Sequence, residues 1–363
     1  MDPPPPDYSE HPQQLTDIDL KLWFNFAQGD NLLFNNAEAV SRRMGMIGER
    51  LFCGTRTAMQ VEFWDVKLRG SVLGRKVVTE TTHDHGSMME YLKENSVIGI
   101  RTISMHANSP GAPISITAEA MNALLTYLRV GPQFLDLLFS FAGHGKSVEA
   151  GMGSLVYKSV PNGPNVAGII EVQYILRYPS LSPDGTWVIS QTAVYHRHVL
   201  RTPGNLPLTL YLSLLPSHQN RQLTFASSAK RQFLDLASLS TRLTIPNPSS
   251  YIGEWRWFLL DLEKEIEALD AAALTLLSHS QSESLPARTH IQLTIHALHR
   301  RLAPLTPILR STLETVKNLG VIAGKMQKMG DEFRAYEVQI EGYLGAVEGL
   351  RERVERLGKM KGL

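Results

Sequence analysis

Near the end of the chain, apolar side chains recur at alternating steps of three and four residues. They run from Phe333 through Tyr336, Ile340, Tyr343, Val347, Leu350 and Val354 to Leu357. This is a heptad seam over four repeats, with Phe, Ile, Val, Val at one seam position and Tyr, Tyr, Leu, Leu at the other. A straight helix has about 3.6 residues per turn, so a 3.5-residue repeat keeps its stripe covered only by winding about another helix. These eight residues are the candidate site of helix packing and oligomerisation, with a second copy or another helix of the same chain as the partner. β-branched seam residues with Leu opposite favour a parallel dimer, which the two tyrosines and the few opposed flanking charges weaken. Gly342, Gly345, Gly349 and Gly358 lie off the seam. Each costs about 1 kcal/mol relative to Ala, so the helix needs packing to form.

Upstream, the pattern changes from helical to alternating. Val61–Val66 and Val97–Met105 read as strands, the second apolar enough to be central in a sheet. Thr117 is the expected N-cap of a helix with Glu119 in its first turn, carrying Met121, Leu124, Leu125 and Leu128 and stopping near Gly131-Pro132. Phe134, Leu135, Leu137, Leu138 and Phe141 predict a second, buried helix. A hairpin follows. Val172, Tyr174, Leu176 and Tyr178 line one face of its first arm, and Ser182-Pro-Asp-Gly185 makes its turn. In the second arm Trp187, Ile189, Ala193 and Tyr195 are expected on one face, with Ser190, Thr192 and His196 on the other. Leu206–Leu215 is a buried strand, with Pro207 near its start.

Beyond about residue 220 the periodicity is helical: Leu223–Thr244, Ser250–Ser278, and a stretch from Ile291 to Leu319 that Pro304 and Pro307 should kink or divide. Gly320–Gly330 is the expected joint before the terminal seam. Two long antiparallel helices joined there would bury both stripes without a second molecule. The expected organisation is a disordered Pro-rich tail over 1–30, a mixed α/β domain over 31–216, and a helical stalk region over 217–363.

The 363 residues are 43% hydrophobic and 20% charged, ordinary for a folded chain. A net charge of +1 gives no general attraction to nucleic acid or to anionic lipid. The one cysteine, Cys53, excludes an internal disulfide, and no His or Lys near it in sequence would activate its thiol. Met1–Gln14 lacks the basic start and apolar run of a signal peptide. The longest other apolar run, Leu206–Leu215, is far short of the roughly 20 residues that a bilayer span needs, so the chain is expected to be soluble.

Few segments carry recognisable chemistry. Ser140-Phe-Ala-Gly-His-Gly-Lys-Ser147 imitates a phosphate-binding loop, with Gly145, Lys146 and Ser147 in place but Ser140 where the first glycine belongs. The following Val148–Gly153 is a poor helix, and such a loop works only at a helix N-terminus. Trp257–Asp261 imitates the accompanying magnesium-binding strand, within helical surroundings. His83/His85 and His196/His198 would each share a strand face and His296/His299 a helix face, but no Cys or acid stands at a spacing that completes a zinc site. No Gly-x-Ser-x-Gly elbow occurs. Trp255 and Trp257 could stack a ligand, although an amphipathic helix places its aromatics in the core. His299-Arg300-Arg301 reads as a solvated helix face.

Taken in order, several segments resemble a fungal group of CorA-like transporter-domain proteins, distantly related to CorA magnesium channels. The resemblance rests on Ile100–Ser104, Ile116–Glu119 with Leu124–Tyr127, Gly131–Phe141, Tyr174–Tyr178, Ile189–His196 and Glu254–Glu263, and spans residues 95–357. It implies a mixed α/β soluble domain of sheet and helices followed by a long helical stalk. The channels' stalk runs into two transmembrane helices and a Gly-Met-Asn pore motif. That motif is absent here; the nearest string is Gly151-Met-Gly153, and the chain stops after the stalk at Lys359–Leu363. The expectation is therefore a non-enzymatic, pore-less or truncated relative acting as an oligomerising or regulatory module in the cytoplasm. It would reach a membrane only where transmembrane helices are carried or bound. Its partners would be further copies of itself or membrane-bound relatives, with no nucleic acid and no direct insertion into lipid. No catalytic residue and no cofactor site is assigned; magnesium enters through the resemblance alone, and metal ligands stay unassigned. The alternatives are a degenerate nucleotide-binding enzyme using Lys146 and Ser147, or a helical adaptor holding a partner on its terminal stripe.

Overall fold

The computed structural model describes residues 46–142, 156–160, 169–199, 209–216, 252–278, 285–327 and 330–360, apart from 49, 55–58, 70–73, 96–98, 108–111, 129, 132 and 183. The strands are β1 (Val61–Arg69), β2 (Gly74–Thr82), β3 (Gly99–Ala107), β4 (Val156–Val160), β5 (Ile169–Leu181), β6 (Trp187–Val199) and β7 (Thr209–Pro216). The helices are α1 (His85–Glu94), α2 (Ala118–Tyr127), α3 (Phe134–Phe139), α4 (Glu254–Ser278), α5 (Leu285–Leu302), α6 (Leu305–Gln327) and α7 (Gly330–Gly358). The fold is mixed α/β. The tail over 1–30, Pro207, Leu223–Thr244 and residues 143–153 of the phosphate-loop imitation lie outside the described residues.

Alternation produces one seven-stranded sheet in the order β2-β1-β3-β7-β6-β5-β4. Every pairing is antiparallel except β3 with β7, which run parallel. Successive side chains on a strand point to opposite faces, and β5 uses both. Ile170, Val172, Tyr174, Leu176 and Tyr178 join one core with α4–α7, while Ile175 joins Ala193 and Tyr195 of β6 in a second core with α1–α3. The sheet thus lies between two helical layers.

Local chemistry sets the element ends. Thr117 accepts the Ala120 amide at 3.1 Å and starts α2; Asp84 accepts the Ser87 amide at 2.9 Å and starts α1. Gln173 and Gln191 donate from the sheet to the carbonyls of Gln133 and Ser140, at 3.0 and 2.7 Å, and so hold both ends of the six-residue α3. At the β5–β6 turn Gly185 has φ 80, and hydrogen bonds from Ser182 and Thr186 hold the Asp184 carboxyl down to about 2.

The elements differ from the sequence expectations at several points. Trp187 and Ile189 do not share a core with Ala193 and Tyr195: they pack against the α4–α7 core. There the hairpin tip closes on α4, with the Trp187 and Phe258 rings 5.6 Å apart and the indole N–H 3.0 Å from Asp261. Second, the Gly320–Gly330 joint is narrower than expected, because α6 continues through Gly320 to Gln327 and α7 starts at Gly330. Third, helix Phe134–Phe141 ends at Phe139. Pro304 falls in the break between α5 and α6. Pro307 sits in the first turn of α6, where a missing amide hydrogen is tolerated.

Candidate functional site

The terminal seam is where the strongest sequence pattern meets the largest shared core. Phe333, Ile340, Val347, Leu350, Val354 and Leu357 are all buried, and Tyr336 and Tyr343 are half-buried against the same core. Their cover comes from within the chain. α7 runs antiparallel to α6, with Arg310 3.4 Å from Glu348 and Lys317 3.3 Å from Glu341. Near the α6–α7 joint a Cβ on Gly320 would stand 2.9 Å from the Phe333 Cβ, so only glycine permits this approach. Farther along, Arg353 reaches α4, 2.8 Å from Asp270 and 3.7 Å from Glu263. The two α6–α7 ion pairs are exposed and the Arg353–Asp270 pair is half-buried; they set register, and the buried stripe supplies most of the stabilisation.

A second constellation lies on the sheet face under α1. Asp65 on β1 is wholly buried and takes a two-pronged contact from Arg101 on β3, at 2.9 Å to Nε and 2.6 Å to Nη2. The Tyr91 hydroxyl of α1 donates to the same carboxylate at 3.0 Å, and the guanidinium stands 5.8 Å from the Tyr91 ring centre. Arg101 also donates at 2.9 Å to the carbonyl of Asn95, the residue that caps the end of α1. Burial, then the neighbouring Asp65, pushes the Tyr91 phenol well above its ordinary value. Arrangements with every charge met this way hold structure together and leave no group free to attack a substrate. The triad fastens the end of α1 to two strands.

Sequence reasoning missed this triad. The signal was a matter of phase: Val61, Phe63 and Asp65 share one face of β1, and Arg101, Ile103 and Met105 share the same face of β3. A charge at an apolar phase on two paired strands points to a buried partner. On the opposite face of these strands, His106 is buried, with its Nε2 3.4 Å from Glu62.

The remaining sequence candidates are scattered. His83 and His85 do not share a strand face, because β2 ends at Thr82 and the Asp84 cap starts α1 between them. His85 instead stands 3.3 Å from Glu119. His196 is buried in β6, and the side chain of His198 lies outside the described residues. His296 is exposed and His299 half-buried on α5. Among the described residues no three or more His, Cys, Asp or Glu converge to hold an ion. Ser140, the first position of the phosphate-loop imitation, is buried and donates to the Leu137 carbonyl at 2.7 Å. Asp261 lies on α4 and accepts from Trp187 and Lys264, which hold its carboxyl below the ordinary range. Trp255 is core, but Trp257 is 56% exposed with the Arg256 guanidinium 5.6 Å from its ring centre. Two positions apart on a helix differ by roughly 200° and cannot share a face. Cys53 is half-buried, and its desolvation raises the thiol pKa. Arg301 pairs with Glu265 of α4.

Among the described residues no helix is long and apolar enough to cross a membrane. A family model described as CorA-like transporters matches residues 25–274, a span that starts before the resembling segments and ends within α4, leaving α5–α7 and the seam beyond it. No curated protein matches. Solved structures with similarity include the ZntB cytoplasmic domain from Vibrio parahaemolyticus, at 10% identity and TM-score 0.42, covering 83% of this chain and 95% of that one. The full-length CmaX protein aligns at 13% identity and TM-score 0.41, covering 85% of this chain and 78% of its own.

Proposed function

The chain belongs to the family of CorA-like transporters, and on that premise we propose that it is a non-enzymatic, soluble module of a divalent-metal transport system. It works in the cytoplasm as an oligomerising or regulatory companion of membrane-embedded relatives. The observation that carries this reading is the family match, which spans the whole described sheet and α1–α3 and reaches into α4. The packing of the seam and of the buried ion pair agrees with it. The heptad stripe closes the helical layer, and the buried Asp65–Arg101 pair is saturated by Tyr91 and Asn95, so both serve shape. Magnesium, the ion that the resemblance implies, is cargo of that system in this reading.

Two assays test the proposal together. Purified chain should capture a detergent-solubilised CorA-like relative, and it should neither bind nor hydrolyse ATP with magnesium in calorimetry and phosphate release. ATP turnover abolished by Lys146→Ala would overturn it in favour of a nucleotide enzyme. Failure to capture any membrane relative would remove the regulatory role.

A further inference from the structure

We draw no further inference here: the strongest candidate, the side-chain cluster that buried Thr102, Ser104 and His106 make with Glu62 on the face of β1 and β3 turned away from α1–α3, carries none, because nothing among the described residues shows what covers it.

Discussion

Asp65 is a carboxylate with none of its surface exposed, and Arg101 opposite it is 4% exposed. A buried pair of this kind adds little over a well-packed apolar pair, but removing one partner leaves the other uncompensated. Asp65→Ala should therefore lower the unfolding free energy by about 3–5 kcal/mol in urea denaturation. Tyr91→Phe removes one hydrogen bond to a charged acceptor and should cost about 1.5–3 kcal/mol in the same measurement. The Tyr91 phenol is raised above its ordinary value of 10.0 in the folded chain. Its contribution is complete below that value and is lost as pH climbs through and beyond it. Between about pH 8 and 11 the wild type should lose more stability than Tyr91→Phe, because the variant has no phenol at this position to ionise. Residues of this class were the least legible in the sequence. Asp65 and Arg101 are 36 positions apart, and nothing local announces that β1 and β3 pair in the register that joins them.

Among the elements, the heptad stripe is plain in the sequence, because a 3.5-residue period has few other causes. What covers the stripe was not. Periodicity demands burial without naming the partner, and here α4, α5 and α6 share that task. Gly320 marks the tightest approach: Gly320→Ala must push α6 and Phe333 of α7 apart, and should lower the melting temperature. Gly342, Gly345 and Gly349 have open space where a Cβ would go. Alanine at each should stabilise the chain by up to about 1 kcal/mol, measurable as a higher melting temperature. Ile340→Ala, in the middle of the buried seam, should cost about 2–5 kcal/mol. The strands of the long hairpin were equally legible, since alternation and the Ser182–Gly185 turn agree. α1 was not, because only Met88 and Leu92 of its ten residues are buried, and that is too sparse a stripe to stand out.

For the molecule as a whole, two features decide what the chain can be: a mixed sheet covered on both faces, and a terminal helix folded back over its own stalk. The strand order places β7 beside β3 although more than 100 residues separate them in the chain. Only tertiary packing sets such a crossover, so the layered arrangement could be expected through family resemblance but not from local pattern. The seam of α7 is covered within one chain, and we propose that it does not hold two chains together. Hydrogen exchange of residues 333–357, followed by mass spectrometry while the protein is diluted until sedimentation shows only single chains, tests it most directly. Ile340, Val347 and Val354 should exchange slowly, and at the same rate at every dilution. Protection that fades in step with the loss of oligomers would contradict it.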